Sequence, residues 1–507
     1  MDIFHSLATV LSSPALLAWI VAAAMIGMTV GAIPGLTASA AIAMLSPMTF
    51  YMDPLSALAF LYVIGKSGRY GGSVAAILFN TPGTAASAAT QIDGYPLAQK
   101  GMASKAMKVA TVSSVIGDFT GDLLLLLAVG WLAAIALKLG PPELFSVYFV
   151  AFIVIGSVIG KSIVKGLISA LLGVLVRMIG LDPITLDNRF TFGMFELNGG
   201  VSLISLMIGI FVLGEVFAQL SNVNRPIQNN SPSGLNENRA LNRLTWQEYK
   251  PCFPHVFRSS AIGATIGALP GLGSAVAAFV AYSEGKRRAK NPDEWGKGAL
   301  EGIAAPEAAN NAVSGPSMAP LLILGIPGTT IGAILISVFL VHGIQIGPTL
   351  FLTSIELVYN LFAAGLIGIV CYGLIGFFGA ARLGQIVQKI PTRILYPLIF
   401  LTAFVSAYAA NGSLFDVWVM LIAGVFGWLM RKLDFNPAAF IISFVLAGGA
   451  EEAFRQSLRL SDAGVFIFIE RPISALFLLV GAMVVIVRVR TMRRDATSLK
   501  SDRLSDA

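Results

Sequence analysis

The sequence predicts an all-α polytopic membrane protein. Apolar residues make up 56% of the 507-residue chain and charged residues only 12%, whereas a soluble domain carries about 25% charged residues. Several apolar segments are long enough to cross a hydrocarbon core of about 30 Å. In total, about 12 transmembrane helices are expected. The clearest spanning candidates are 109–137, 145–159, 201–220, 357–380, 417–430 and 473–487.

Two phrases occur twice in the chain, in the same order. GMTVGAIPGL at 27–36 resembles GATIGALPGL at 263–272, and their prolines are 236 positions apart. AILFNTPGT at 76–84 resembles LLILGIPGT at 321–329, and their prolines are 245 positions apart. Two ordered matches at similar offsets indicate an internal duplication. Pro-Gly interruptions at corresponding places in two apolar halves point to the binding site of a transporter.

The basic residues predict that the two copies have opposite orientations. Basic segments follow the first TPGT phrase (100–108) and the second GALPGL phrase (286–290), whereas 47–54 and 343–355, after the twin phrases, carry no positive charge. Lys and Arg favour cytoplasmic loops, so the phrase followed by basic residues should end on the cytoplasmic side and its twin on the opposite side of the membrane. This is the pattern of inverted-topology repeats. We divide the chain into a first transmembrane repeat (1–220), a polar linker (221–258), a second repeat with C-terminal helices (259–487) and a basic cytoplasmic tail (488–507).

The Pro-Gly pairs are expected to break helices at membrane depth. Proline lacks a donor N–H and its ring clashes with the carbonyl four residues earlier. The carbonyls near Val30, Leu78, Ile266 and Ile323 should therefore lose their donors and suit a cation. Downstream helices would begin with free N–H groups that suit a carboxylate. At Pro270 a re-entrant hairpin and a single broken spanning helix are both possible, and we favour the hairpin.

Small and polar residues around these breaks are the candidates for substrate binding. YGGS at 70–73 lets the backbone approach closely and adds a hydroxyl. Thr84 and Thr329 have the same offset from their prolines, which suggests paired hydroxyls facing one ligand. The candidate substrate-binding residues are Pro34, Gly35, Gly72, Ser73, Asn80, Thr81, Gly83, Thr84, Gly271, Gly273, Ser274, Gly328, Thr329 and Thr330.

A second cluster, APEAANN at 305–311, is a candidate cation site. With Pro306 near the first turn of a helix, Glu307 shares a face with Asn310 and Asn311, at i+3 and i+4. One carboxylate and two amides form an oxygen-rich setting for a hard cation such as Na⁺. Hydrogen bonding of the asparagines between helices is the competing interpretation. No catalytic residue, cofactor or other metal site is predicted.

Charged residues also occur within apolar sequence and must face protein or water. Asp118 and Asp122 are spaced i and i+4, and Lys66 and Arg69 precede YGGS. We favour ion pairs between these basic and acidic residues over contacts to an anionic substrate. Asp93, in DGYP, is expected to end the helix that follows the first TPGT phrase with a turn.

The ordered phrases GAIPGL, YGGS, NTPGT, DGYP, GALPGLGS, APEAANN and LGIPGT resemble the large membrane subunit of tripartite tricarboxylate transporters, the TctA-type family. The resemblance covers nearly the whole chain. It implies a bacterial inner-membrane carrier that works with a small membrane subunit and a periplasmic solute-binding protein. It further implies uptake of citrate-like tricarboxylates or other small carboxylates, driven by a cation gradient (Na⁺ or H⁺) through alternating access. No nucleic acid is expected as a partner.

Two other functions are weighed against the carrier. Ser317 lies in a Gly-Pro-Ser-Met string and His342 lies downstream, as in an intramembrane serine protease. A Gly-x-Ser string is, however, expected by chance in a glycine-rich chain. A passive anion channel is the third alternative. We favour a carrier over an enzyme because the Pro-Gly phrases are repeated.

Overall fold

The computed structural model describes residues 3–33, 36–158, 162–182, 184–221, 241–388, 392–462 and 464–486. Helices dominate these residues. The first eleven are α1 (Ile3–Leu11), α2 (Pro14–Ala32), α3 (Ala38–Leu45), α4 (Pro54–Phe79), α5 (Ser87–Leu97), α6 (Ala103–Ala136), α7 (Pro141–Val158), α8 (Ile163–Arg177), α9 (Leu203–Met207), α10 (Gly214–Ser221) and α11 (Trp246–Tyr249).

The helices of the second half follow in chain order. They are α12 (Phe253–Gly267), α13 (Gly273–Arg287), α14 (Leu300–Ala312), α15 (Met318–Leu324), α16 (Thr330–Val341), α17 (Leu350–Thr353), α18 (Ile355–Gln388), α19 (Thr392–Asn411), α20 (Leu414–Lys432), α21 (Pro437–Arg459), α22 (Ile467–Glu470) and α23 (Pro472–Ile486). Two short antiparallel strands, β1 (Gly180–Leu181) and β2 (Asn188–Arg189), pair between α8 and α9.

Six segments of the described chain are helical, long and apolar enough to cross a membrane. They are α2, α5 with α6, α9 with α10, α18, α20 and α21. A seventh results if the 464–470 segment and α23, bent by 87° at their junction, count as one span. The described residues of all six spans expected from the sequence lie largely on helices, so an all-α polytopic membrane protein is confirmed. The total of about 12 spans and the inverted orientation of the copies stay predictions.

The ends of α4 show how local chemistry sets a helix boundary. Asp53 accepts a hydrogen bond from the N–H of Ser56 at 2.9 Å, and Pro54 occupies the first helical position. At the other end Asn80 has a left-handed conformation with φ 56°, which asparagine tolerates and which ends a helix. Every residue from Ser56 to Leu78 is buried, so α4 forms the centre of its unit.

The chain divides into two compact units. Unit 1 comprises residues 1–137 and 202–432, and unit 2 comprises 138–201 and 433–507. Unit 1 contains all four Pro-Gly phrases. The predicted repeats are defined by duplicated sequence, whereas the two units are defined by packing. The division into units therefore does not test the repeat boundaries, which stay predictions. Within the predicted linker α12 already begins at Phe253, while 222–240 and the predicted tail lie outside the described residues.

A charged cluster in unit 2 joins the loop after α8 to α21. Both carboxylate oxygens of Asp182 accept hydrogen bonds from Arg455 at 2.9 Å. The N–H groups of Ile184 and Thr185 also donate to this carboxylate. The Arg455 guanidinium, with these N–H groups, holds the pKa of Asp182 well below its usual range.

The two copies of the duplication show equivalent internal packing. In the first copy α2 packs on α4, and in the second α12 packs on α14. Glycines allow both pairs of backbones to approach closely, because a Cβ atom at each would lie 2.3 to 2.8 Å from a carbonyl oxygen of the partner helix. The equivalent contacts are Gly27 to Ile64, Gly263 to Ala309, Gly31 to Gly68 and Gly267 to Val313. Each glycine pair is 236 positions apart and each partner pair 245, the same offsets as the repeated phrases.

The first basic segment and the loop that follows the second one meet at one end of unit 1. Lys100 Nζ donates to the carbonyl of Lys297 at 2.6 Å. Asn242, in the described part of the linker, accepts from the N–H of Ser104 at 3.1 Å and donates to the carbonyl of Gly101 at 3.1 Å. The segments after the first TPGT phrase and after α13 therefore lie at the same end of unit 1, and the opposite orientation of the copies stays a prediction.

Candidate functional site

Helices α4, α6 and α14 bring the polar groups of both copies together in unit 1. Cβ atoms at Gly117 and Gly121 of α6 would lie 2.2 and 2.4 Å from carbonyl oxygens of α14, so these two backbones are in direct contact. Ser114, Asp118 and Asp122 lie at i, i+4 and i+8 on α6 and therefore form one polar stripe. This stripe contacts polar side chains of both α4 and α14.

Glu307 of α14 is fully buried among hydroxyl groups from the first copy. Its carboxylate accepts hydrogen bonds from Ser73 of α4, Thr90 of α5 and Ser114 of α6, the last at 2.7 Å. Ser73 and Glu307, assigned to different sites by sequence, are thus direct partners. Sequence reasoning missed Thr90 and Ser114. The four-residue spacing of Ser114 from Asp118 was the only local signal for Ser114.

The two asparagines beside Glu307 have unused hydrogen-bonding capacity. Asn311 Nδ2 donates to Ser114 Oγ at 2.9 Å and to the carbonyl of Glu307 at 3.1 Å. Its Oδ1, and both amide atoms of Asn310, have no partner among the described residues, although both side chains are buried. A buried polar group without a partner costs about 1–3 kcal/mol. The interhelical interpretation accounts for Asn311 Nδ2 but not for these three atoms.

The predicted start of the helix around Pro306 is wrong. The helix α14 begins at Leu300 and contains Pro306 in its interior. The reason lies in Asp93, which was expected to end a helix with a turn but instead lies within α5. Its carboxylate accepts from three N–H groups at 296, 298 and 299, each at 2.8 Å, and from Tyr282 Oη at 2.9 Å. Asp93 therefore holds the chain that leads into α14 and positions Glu307.

The predicted ion pair between α4 and α6 is confirmed for Lys66. Its ammonium lies 2.6 Å from Asp118 Oδ1 and 2.8 Å from Asp122 Oδ1, and all three side chains are buried. Tyr372 donates to Asp118 at 3.1 Å and Tyr62 to Asp122 at 3.4 Å. The prediction is wrong for Arg69, which among the described residues donates one hydrogen bond, to the main-chain oxygen of Asn310. Lys66 donates to Asp118 Oδ1 and to both oxygens of Asp122, and Tyr372 donates to Asp118 Oδ2.

A narrow cavity of about 10 Å³, room for one water molecule, lies beside Arg69. Tyr62 and Arg69 line it from α4. Ser314 and Ser317, from the turn between α14 and α15, and Thr329, at the start of α16, line it from the second copy. This cavity therefore lies against the second Pro-Gly break of the second copy.

The second Pro-Gly break of the first copy packs against helix backbone. The N–H of Gly83 donates to the carbonyl of Gly72 at 3.2 Å, and a Cβ atom at Gly83 would lie 2.4 Å from the carbonyl oxygen of Gly31. Thr84 Oγ1 accepts from the N–H of Ser87 at 3.2 Å. Thr84 therefore accepts a hydrogen bond from the first residue of α5, and it is not among the residues that line the cavity.

The break of the second copy makes equivalent contacts at Gly328. A Cβ atom there would lie 3.4 Å from the carbonyl oxygen of Ser317 and 3.7 Å from that of Gly267, the positions equivalent to Gly72 and Gly31. Its own carbonyl accepts from the N–H of Gly271 at 3.2 Å, so the two breaks of this copy touch. Thr329 caps α16 and also lines the cavity.

The remaining candidates of the first copy are placed as follows. Asn80 accepts a hydrogen bond from Gln91 at its main-chain oxygen, 2.9 Å away. The hydroxyl of Thr81 is buried without a partner in the described part of the chain. Pro34 and Gly35 lie outside the described residues.

In the second copy, Gly273 and Ser274 begin α13, and Thr330 begins α16. Gly273 has φ +70°, and open space lies where its Cβ atom would be. The α12 and α13 helices contact each other on either side of Pro270, as the favoured hairpin requires.

The expectation that carbonyls before the breaks lose their donors is wrong at two of the four positions. The carbonyl of Val30 accepts from the N–H of Ile33 at 3.1 Å, and that of Ile266 accepts from the N–H of Leu269 at 3.1 Å. Both are i to i+3 bonds that tighten the last helical turn and replace the lost i+4 donor.

The geometry does not support a serine protease. Ser317 Oγ donates to the carbonyl of Ser314 at 2.8 Å, and no histidine within the described ranges is hydrogen bonded to it. His342 caps the far end of α16, a helix about 18 Å long whose first residue follows Thr329. A general base must lie within hydrogen-bond reach of the nucleophile.

Much of this sequence is shared with known proteins. The family model for the tripartite tricarboxylate transporter TctA family matches residues 17–442. An uncharacterised 52.8 kDa protein from the TAR-I ttuC' 3' region of Agrobacterium vitis is 35% identical over 496 residues, 97% of each chain. An uncharacterised protein from the TAR-II ttuC' 3' region of the same organism is 35% identical over 227 residues, 44% of this chain and 93% of its own. No solved structure matches. The chain therefore belongs to the tripartite tricarboxylate transporter TctA family, a family of transporter components rather than of enzymes.

Proposed function

We propose that this chain is the large membrane subunit of a system that imports small carboxylates, citrate-like tricarboxylates among them, by cation-coupled alternating access. It works in the bacterial inner membrane with a small membrane subunit and a periplasmic solute-binding protein. Its C-terminus is cytoplasmic. Family membership supports the transport class and the partners, and the buried polar centre between the two copies supports the position of the site.

The observation that carries the proposal is the unused capacity of Asn310 and Asn311 beside Glu307. Two amide oxygens lack donors there, and a buried carboxylate adds negative charge. Hard cations such as Na⁺ prefer carboxylate, carbonyl and hydroxyl oxygen. The three hydroxyls now donating to Glu307 can rotate and turn lone pairs towards a bound ion, since a hydroxyl is both donor and acceptor.

The buried charges of the centre favour binding of a cation. Lys66 and Arg69 contribute two positive charges, and Asp118, Asp122 and Glu307 contribute three negative ones when all are ionised. One bound cation balances this excess. Moving a trianion into a cytoplasm at about −100 mV costs about 7 kcal/mol, at about 2.3 kcal/mol per charge. Co-transport of several cations would offset that cost.

The division of the site between the copies supports alternating access. Glu307 belongs to the second copy, whereas the hydroxyls around it belong to the first. A movement of one copy against the other would therefore change the cation site directly. The cavity beside Arg69 is likewise lined from both copies.

Uptake of labelled citrate into proteoliposomes tests the coupling. The full chain is reconstituted with its small membrane subunit, and the binding protein is added outside. We expect accumulation that needs a Na⁺ or H⁺ gradient, and accumulation that persists after both are collapsed would reject coupling. Counterflow of labelled against unlabelled citrate distinguishes a carrier from a channel, because a pore shows none.

Asn310→Ala tests the cation site itself. We expect it to raise the cation concentration needed for half-maximal uptake by at least about 10-fold, because an oxygen ligand is worth about 1.4 kcal/mol or more. Ser260→Ala is the matched control, since Ser260 is also buried and its hydroxyl donates to the carbonyl of Val256 in its own helix. An unchanged cation dependence in the Asn310 variant would show that this residue is not a ligand.

A further inference from the structure

Arg69 is a buried cation that makes no direct ion pair among the described residues, although Asp118 and Asp122 lie within electrostatic range. The residue is 6% exposed, and its one hydrogen bond within the described ranges, from Nη1 to the main-chain oxygen of Asn310, is 3.5 Å long. No ion pair of Arg69 with a carboxylate exists within the described residues. Guanidinium stays protonated in proteins, and an unpaired buried charge is expensive. Lys66, three residues earlier, shows the opposite case with two carboxylates.

The cavity beside Arg69 is lined by hydroxyl groups and by no acidic residue. The cavity beside it is lined by Ser314, Ser317 and Thr329. Thr329 Oγ1 accepts from the N–H of Gly332 at 3.2 Å, so its own proton is free to donate. The hydroxyl of Ser317 already donates its proton to the carbonyl of Ser314. A guanidinium fork with one or two hydroxyl donors is the arrangement that binds a carboxylate with two parallel hydrogen bonds.

We propose that Arg69 binds a carboxylate group of the transported substrate, together with the hydroxyls of Ser314 and Thr329. This inference rests on the proposed function and names the residue that recognises the anion. Arg69 and Ser314 are 245 positions apart and thus equivalent in the two copies. Both line one cavity, so the carboxylate binds where the copies meet, and only the first copy supplies charge.

The size of the cavity adds a condition. At about 10 Å³ it has room for one water molecule and not for a carboxylate. Substrate therefore reaches Arg69 only when α4 and the segment from Ser314 to Gly332 separate. The same separation exposes the second Pro-Gly break, which places ligand binding and helix movement at one location.

The test measures initial uptake of labelled citrate and labelled succinate by the complete transport system. Arg69→Gln should raise KM for the transported acid about 10- to 100-fold, the range expected for losing hydrogen bonds to a charged group. Arg69→Lys should give an intermediate KM, since it keeps the charge but not the fork. Arg431→Gln is the matched control, because Arg431 pairs with Glu215 at 3.3 Å and should affect stability without changing KM.

A second variant keeps the proposal testable if Arg69→Gln does not fold. Ser314→Asp places a carboxylate beside Arg69 and mimics the bound substrate. We expect it to raise the thermal stability of the purified chain while abolishing uptake. If the wild type takes up the acid and KM differs by less than twofold in Arg69→Gln or in Ser314→Asp, this assignment is overturned. Failure of the wild type to take up either acid would overturn the proposed substrate class instead, and this assignment with it.

Discussion

Replacing Lys66 by methionine should destabilise unit 1 strongly, because two carboxylates would remain buried without a cation. The ammonium lies 2.6 Å from Asp118 and 2.8 Å from Asp122, and all three groups are buried. After the change the hydroxyls of Tyr62 and Tyr372 would be the remaining side-chain hydrogen-bond donors to these carboxylates in the described part of the chain. Removing one partner of a buried ion pair costs about 3–5 kcal/mol. Because one lysine serves two aspartates, we expect a loss at the upper end of that range.

The matched variants separate a charge effect from a packing effect. In Lys66→Met with Asp118→Asn and Asp122→Asn all three charges are gone, and most of the lost stability should return, since neutral replacement of a buried ionic group is often harmless. Lys432→Met, at the end of α20, should change stability by less than about 0.5 kcal/mol.

The assay is the fraction of monodisperse protein left after heating in detergent, measured by size-exclusion chromatography over a range of temperatures. The reasoning would be refuted if Lys66→Met melted with the wild type. It would also be refuted if the triple variant were no more stable than the single one, because the loss would then come from packing. Both results can be read without any transport measurement.

Three further predictions test other contacts. Gly117→Ala should destabilise by about 1–3 kcal/mol, because its methyl would lie 2.2 Å from a carbonyl oxygen of α14, whereas Gly130→Ala, with open space around it on the same helix, should stabilise by about 0.5–1 kcal/mol; equal melting of the two would contradict this. The Lys105 ammonium lowers the pKa of Glu248 from 4.5 to about 2, so the pair stabilises above pH 4.5 and the contribution disappears as the pH falls towards 2. Glu248→Gln should therefore cost about 0.2–1 kcal/mol at pH 7 and progressively less in acid, and a pH-independent difference would exclude the ion pair. Asp93→Asn should lower stability by about 1.5–3 kcal/mol, because the hydrogen bonds to the start of α14 become weaker. Hydrogen exchange of the N–H groups at 296–299 should then be faster, and unchanged protection there would disprove the prediction.

Much of the architecture could be predicted because it depends on local pattern. A chain with so few charged residues cannot present a water-facing surface and therefore lies in a lipid bilayer, where helices satisfy their own backbone hydrogen bonds. The offsets of the repeated phrases predicted a duplication, and the glycine contacts of α2 with α4 and α12 with α14 reproduce it at the same offsets. Four-residue spacing likewise placed Asp118 beside Asp122, and Glu307 beside Asn311.

The tertiary structure alone decided which of these groups are partners. Thr90 and Glu307 are 217 positions apart, and nothing local to either predicts that they meet. Close approach of α6 to α14 at glycine, and the rotation of α4, determine that Lys66 faces both aspartates while Arg69 faces a cavity. Asp93 could not be recognised as the anchor of α14 because its acceptors are satisfied by N–H groups some two hundred positions away. Composition and spacing determine which elements form and which face is polar, whereas the pairing of buried charges depends on how those faces dock.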